Sequence, residues 1–358
     1  MSMTKPTLLL DKSKCLRNIE RMSTKAKQAN IGFRPHFKTH QSIEIGNWFR
    51  DFGVTGITVS SFDMAEYFAQ AGWLDILVAF PFNPLEMKRL NELASISRIS
   101  VLADNIEAIS TLQKPEKQVG FYIDIDTGYG RTGIRSDQFQ QIEDLLSTSR
   151  QNPKLDFSGF YCHAGHSYKA RSRTEQDEIH QKAITDLSAL KKHFAGYDPR
   201  VLFGDTPNCS IQTDFQCVDE ITPGNFVFYD LTQVSIGSCD EADIAVAMVC
   251  PVTGKYPDSH QILIHGGAVH FSKETLPIKG QLTYGKLVDF TQSGWFPMQD
   301  GSYITSVTQE HGVLVVAGEL FERARIGDLM AFHPVHSCLT ANLMKQYTTL
   351  EGKVITML

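Results

Sequence analysis

Between about residue 30 and residue 230, short runs rich in β-branched and aromatic residues alternate with stretches whose apolar positions recur every three or four residues. A short apolar run bounded by turn residues reads as a buried strand, and the longer period reads as a helix with one face on the core. Eight strands are expected, at 32–37, 56–60, 76–80, 99–103, 119–124, 157–163, 200–204 and 218–222. Helical stretches lie between them, among them 63–71, 84–96 and 173–194, the last carrying Ile179, Ala183, Leu187 and Leu190 at helical spacing. Strand–helix alternation repeated eight times argues for an α/β chain folded as a parallel (β/α)8 TIM barrel, whose chemistry gathers at the C-terminal ends of the strands. Lys38, Arg131, His163 and Thr206 fall at or just after such ends.

From about Ala242 the texture changes. Strand-and-turn segments at 244–250, 261–265, 303–307, 313–317, 328–333 and 353–357, punctuated by Gly and Pro, predict an antiparallel β-domain. Residues 8–10 could pair into it. The expected division is a barrel over 14–240 and a β-domain built from 1–13 and 241–358. At roughly 150 residues per domain, a chain of 358 residues has room for both.

Composition narrows the function classes. Hydrophobic residues make up 42% and charged residues 21%, an ordinary globular balance. The net charge of −6, with no long basic run, lacks the footprint of a nucleic-acid or anionic-membrane binder, so small molecules are the expected partners. No apolar run approaches the roughly 20 residues that span a bilayer. The segment Met1 to Leu10 puts one Lys5 before three leucines, too short for a signal-peptide core, and a cytoplasmic location is expected. Seven scattered cysteines do not form a disulfide framework; six read as reduced thiols, and the seventh, Cys338, is treated below.

Several segments carry candidate chemistry. In Arg34-Pro35-His36-Phe37-Lys38-Thr39-His40 a lysine at a strand end is crowded by Arg34, His36 and His40. Nearby cations and partial burial lower a lysine's pKa, as a Schiff-base lysine requires; a surface lysine in a basic turn is the plainer alternative. In Asp124-Ile125-Asp126-Thr127-Gly128-Tyr129-Gly130-Arg131-Thr132-Gly133-Ile134 a strand runs into a Gly-rich turn presenting Arg131, which could donate to an oxyanion or simply face solvent. Phe160-Tyr161-Cys162-His163-Ala164-Gly165-His166-Ser167-Tyr168 ends a strand in planes able to stack on a flat cofactor, although such a histidine is often only hydrogen-bonded structure. Gly204-Asp205-Thr206-Pro207 and Thr222-Pro223-Gly224-Asn225 follow late strands, where barrels often hold phosphate. Thr206, Gly224 and Asn225 are expected to donate, with Asp205 turned away. In His333-Pro334-Val335-His336-Ser337-Cys338, an extended strand would place His336 and Cys338 on one face, an N/S pair that suits zinc, or else carries an incidental cysteine.

Together these segments, with Gly133-Ile134-Arg135, Pro223-Gly224-Asn225-Phe226-Val227-Phe228-Tyr229-Asp230 and Thr308-Gln309-Glu310-His311-Gly312, resemble the D-serine dehydratase and D-threonine aldolase family, whose barrel is shared with alanine racemase (fold type III). The resemblance implies pyridoxal 5'-phosphate on Lys38, Arg131 at the cofactor's O3′, His163 stacked on its ring, and Tyr168 as an active-site tyrosine. It implies a phosphate held by Thr206, Gly224 and Asn225, and a Zn2+ held by His336 and Cys338. Thr222 stands where the racemases put an arginine facing the pyridine nitrogen. The aldolases tend to carry Asp where Cys338 stands, so Cys338 tilts the expectation toward a zinc-dependent dehydratase converting a D-3-hydroxy amino acid, D-serine foremost, to a keto acid and ammonia. A metal-dependent aldolase is the runner-up, and a non-catalytic cofactor carrier the more distant alternative. Relatives are head-to-tail homodimers, and the same is expected here.

Overall fold

The computed structural model describes residues 3–112, 115–278, 280–291, 293–298, 302–316 and 318–358. Met1 and Ser2, the start of the leader reading, and Ala317, the end of the expected strand 313–317, lie outside the described residues. The chain forms two compact units, one of Glu20–Gly224 and one of Met1–Ile19 with Asn225–Leu358. No helix among the described residues is long and apolar enough to cross a membrane.

The first unit is the expected α/β barrel. Its strands pair in the order Gly32–Phe33, Glu220–Ile221, Arg200–Gly204, Leu155–His163, Val119–Asp126, Arg98–Leu102, Asp75–Pro81 and Ile57–Val59, all in parallel. Closure comes from a parallel bridge between His36 and Thr58. There Phe37 N donates to Thr58 O at 2.8 Å and Thr58 N donates to Pro35 O at 3.0 Å. The first strand was expected to run unbroken over 32–37; its regular pairing stops at Phe33, where Pro35 and, on the neighbouring strand, Pro223 have no N–H to give, although Arg34 N and His36 N still donate to Ile221 O and Pro223 O at 2.9 Å each.

One expectation is overturned in this unit. Arg34 does not crowd Lys38. Its Nη1 and Nη2 grip Asp75 at 3.0 and 2.8 Å and its Nε donates to Glu220 at 2.6 Å. Asp75 and Glu220 begin their strands, so Arg34 sits at the strands' N-terminal ends, whereas Lys38 follows a C-terminal end. A buried guanidinium needs paired carboxylates, and Asp75 and Glu220 supply them at that end.

The second unit is antiparallel. Gln261–His265 pairs with both His311–Val315 and Val246–Tyr256, which closes a ring through Tyr303–Val307, Gly285–Thr291 and Leu329–Pro334. Thr7–Leu10 joins it, antiparallel to Val246–Tyr256 and parallel to Gln346–Thr349. Its core gathers Leu9, Ala247, Val249, Val288, Trp295 and Ala331. The hairpins between Leu276 and Pro297 were not anticipated.

A second correction concerns the segment 333–338. The strand stops at Pro334, and Ser337–Met344 is a helix whose N-cap position is His336. His336 and Cys338 are therefore brought together by a helix start, not by strand alternation. Proline ends the ladder, and the Ser337 N–H exposed at the helix start finds its acceptor in Asp230 Oδ2 at 3.0 Å.

Candidate active site

In the barrel unit Lys38 is exposed while His36, Phe37, Thr39 and His40 around it are buried. Phe37 anchors the turn, its ring 5.0 Å from Phe49 and Phe68 and 5.1 Å from Trp73. The Lys38 N–H donates to His36 Nδ1 at 3.4 Å. Burial, then the charges of Lys38, His163 and Arg131, hold His36 well below the usual imidazole range. His163 is pushed down to about 3 by burial and by Lys38 and Arg131. Two neutral imidazoles, one amine and one guanidinium thus share one electrostatic neighbourhood.

The Gly-rich turn is organised by a carboxylate. Asp126 Oδ1 accepts the N–H groups of Gly128, Tyr129 and Gly130 at 2.9, 2.7 and 3.1 Å. Gly133 has φ 96° and a Cβ there would lie 2.8 Å from Asp124 O, so only glycine fits. Arg131 is left exposed, its guanidinium 5.1 Å over the Tyr129 ring. Tyr129 in turn lies 6.0 Å from the His163 ring.

Asp205 caps the helix Thr206–Ile211. Its Oδ1 accepts from Asn208 N and Ser167 Oγ, each at 2.8 Å, and its Oδ2 from Asn208 Nδ2 at 3.0 Å, so the carboxylate is occupied within the cap. Thr206 Oγ1, by contrast, is buried with no hydrogen-bond partner among the described residues. Thr206 N donates to Tyr168 Oη at 3.3 Å, and the Tyr168 ring lies 6.2 Å from that of His163. Gly224 opens a similar cradle: a Cβ there would stand 2.9 Å from His36 O and 3.0 Å from Thr39 Oγ1. Thr222 Oγ1 is likewise buried with no hydrogen-bond partner among the described residues, and burial raises the nearby phenol of Tyr161 well above its ordinary range. An exposed amine, a buried hydroxyl with no partner among the described residues and a glycine cradle are features that fit pyridoxal phosphate.

In the other unit, the Asn225 side chain joins a network around Asp230. Its Nδ2 donates to Asp230 Oδ2 at 2.6 Å and reaches Ser337 Oγ at 3.2 Å and Cys338 Sγ at 3.5 Å. His336 Nδ1 lies 3.0 Å from Glu274 Oε2. Burial lowers the His336 pKa, but Cys338 and Glu274 outweigh it and bring it up to about 11. A half-buried thiol beside an imidazole is a donor set that fits zinc once both give up their protons. Asp230 closes the quoted segment 223–230 without an assigned role, and Glu274 stands in no motif: a lone acidic residue distant from its partner in the chain gives no periodic signal. A further cluster sets His265 Nε2 and His270 Nε2 at 3.6 and 3.8 Å from Glu310 Oε2. Because Gly267 N donates to His270 Nδ1 at 3.1 Å, that ring keeps its proton on Nε2 and faces Glu310 as a donor.

A closed parallel barrel with a lysine after its first strand, followed by an antiparallel β-unit, defines the alanine racemase-like class. The alanine racemase N-terminal domain model matches residues 10–231, and the putative serine dehydratase domain model matches residues 245–350. The D-serine dehydratase of Dictyostelium discoideum is 29% identical over 377 residues, covering 97% of this chain and 93% of that protein. The D-threo-3-hydroxyaspartate dehydratase from Delftia sp. HT23 superposes with a TM-score of 0.91 at 25% identity, over 100% of this chain and 98% of that one. A mutant of that enzyme in its metal-free form gives 0.92 at the same identity and coverage. The chain belongs to the D-serine dehydratase and D-threonine aldolase family of alanine racemase-like proteins, and these dehydratase relatives are lyases.

Proposed function

We propose that this protein is a pyridoxal-phosphate- and zinc-dependent dehydratase that eliminates water from a D-3-hydroxy amino acid, with D-serine giving pyruvate and ammonia. The observation that carries the reading is Cys338 paired with His336, a thiol where the aldolases tend to have Asp. The dehydratase names of the relatives and the metal-free form of one of them support it.

Bound pyridoxal phosphate supplies an electron sink next to Cα, and zinc supplies a Lewis acid for a departing hydroxide. The chain does the rest. Lys38 Nζ, once free, is the base that takes the Cα proton, and its exposed position leaves it room to move. Thr206 Oγ1, buried and without a protein partner among the described residues, would donate to the phosphate. His163, neutral through burial, offers an uncharged plane for the cofactor ring, and Arg131 donates to the O3′ oxygen. Thr222 carries a neutral hydroxyl, so it exerts no cationic pull on a ring nitrogen. Tyr168, tied to Thr206 N, stands beside His163 as the active-site tyrosine. His336 and Cys338 hold the zinc. The enamine that leaves tautomerises and hydrolyses in water to the keto acid and ammonia. A cytoplasmic homodimer acting on a small D-amino acid, with no nucleic-acid or membrane partner, completes the proposal.

The test is turnover by the protein reconstituted with pyridoxal phosphate and zinc. Offered D-serine, D-threonine and D-3-hydroxyaspartate, it releases keto acid and ammonia. Cys338→Ala abolishes elimination and keeps the yellow absorbance, whereas Lys38→Ala loses that absorbance. Glycine and an aldehyde with no keto acid would establish the aldolase instead, and no turnover of any of the three would leave a carrier.

A further inference from the structure

We propose that Glu274 is a positioning residue for the zinc pair: it accepts the Nδ1–H of His336 and so fixes the tautomer whose Nε2 lone pair is left to the metal. The inference rests on the reading of His336 and Cys338 as the zinc ligands.

The Nδ1–Oε2 separation is 3.0 Å. An ionised carboxylate only accepts, so the proton of a neutral ring lies on Nδ1 and Nε2 is free to ligate. Metal-binding histidines recurrently give their second N–H to such a partner, which sets both ring orientation and basicity.

The carboxylate is carried on a fixed segment. Glu274 N donates to Ser272 Oγ at 3.2 Å, and Ser272 adopts φ 75°, a left-handed conformation that a serine takes only when its surroundings enforce it. One residue earlier, Phe271 O accepts the Thr340 hydroxyl at 3.3 Å. Thr340 lies in the helix Ser337–Met344 that also carries Cys338, so a single hydrogen bond ties the carboxylate's segment to the thiol's helix. The Phe271 ring packs edge-on against Phe332 at 6.0 Å, on the strand that leads into His336.

The thiol is held in the same indirect manner. Asp230, buried, accepts Ser337 N at 3.0 Å and Asn225 Nδ2 at 2.6 Å, and that amide lies 3.5 Å from Cys338 Sγ. Each ligand thus has a partner on its far side. On the histidine side that partner is Glu274, whose side chain is 51% exposed. A charge so accessible contributes little to fold stability, which makes it a clean probe.

The experiment measures zinc affinity by competition with a chromophoric chelator, using the full chain loaded with pyridoxal phosphate. Glu274→Ala weakens zinc binding about 10- to 100-fold. Glu274→Gln, whose amide oxygen still accepts from Nδ1–H, restores most of the loss. The yellow absorbance and the urea midpoint of the zinc-free protein stay at their wild-type values in both. Wild-type zinc affinity in Glu274→Ala overturns the proposal. So does a Gln variant as weak as Ala, which would make the carboxylate a direct ligand. His336→Ala and Cys338→Ala separate the two levels of the argument. If both lose zinc while Glu274→Ala keeps it, only the positioning role fails; if both keep it, the metal reading itself is wrong.

Discussion

Replacing Thr206 by Val exchanges a hydroxyl for a methyl of nearly the same size at a residue with no exposed surface. Thr206 Oγ1 has no protein partner among the described residues, and a buried polar group that the protein leaves unsatisfied costs about 1–3 kcal/mol. Valine removes that cost, so the apoprotein of the variant is the more stable one, by about 1 kcal/mol or more. The bound state moves the other way. A hydrogen bond from this hydroxyl to a phosphate is charge-assisted and contributes about 1.5–3 kcal/mol, so the variant binds pyridoxal phosphate about 10- to 150-fold more weakly. Urea unfolding of the two apoproteins reads the first effect, and titration with the cofactor, followed by its yellow absorbance, reads the second. The opposite signs make the reasoning easy to refute. An apoprotein destabilised by Val shows that Oγ1 is already satisfied, and an unchanged cofactor affinity shows that the phosphate is held elsewhere.

Asp230→Asn turns an amide N–H toward donors that now meet a carboxylate: Asn225 Nδ2, Ser337 N and the Ser337 hydroxyl. Loss of this buried acceptor destabilises the protein by about 3 kcal/mol and weakens zinc binding with it; a urea midpoint within error of wild type would show that the network is dispensable. His40 is held down to about 3 by burial, while Ser42 N donates to its Nδ1 at 3.1 Å. Its folded pKa lies below the unfolded value near 6.5, so its stability contribution is complete above that pH and is lost as pH falls toward 3. Between pH 7 and 5 the loss is about 2 kcal/mol at most, and His40→Asn, which keeps an acceptor for Ser42 N, flattens that part of the pH–stability curve. An identical slope in wild type and variant would assign the acid sensitivity to other groups.

The barrel was legible because each of its strands is a short apolar run between turn residues, and that local signal survives the loss of all long-range information. The strand at 32–37 was drawn too long because periodicity does not register that Pro35 and, on the neighbouring strand, Pro223 both lack an N–H. Arg34 was misplaced for a related reason: proximity in sequence put it beside Lys38, but its partners Asp75 and Glu220 lie 41 and 186 residues away. The pairing of His336 with Cys338 was anticipated from strand geometry, yet a helix start achieves it. An i, i+2 spacing fits both; Pro334 ends the strand and Asp230, distant in the chain, receives the first N–H of the helix. Asn225 carries a second role that motif reading did not contain: its side chain is committed to Asp230 and Ser337.

The strand Thr7–Leu10 lies between Val246–Tyr256 and Gln346–Thr349, and its register joins Leu9 to Ala247 on one side and to Thr348 on the other. Synthesis proceeds from the N-terminal side, so this early strand waits for both neighbours until almost the whole chain has left the ribosome. Residues 20–224 already contain every strand of the barrel by the time residue 225 is added. Barrel formation can therefore begin during translation, whereas the β-unit depends on contacts of very high sequence separation and is the slow step. In the interval the three-leucine run of Leu8, Leu9 and Leu10, each at most 1% exposed once folded, is an uncovered apolar strand edge. Recovery of active protein will be governed by how well that edge is shielded before the last strands arrive.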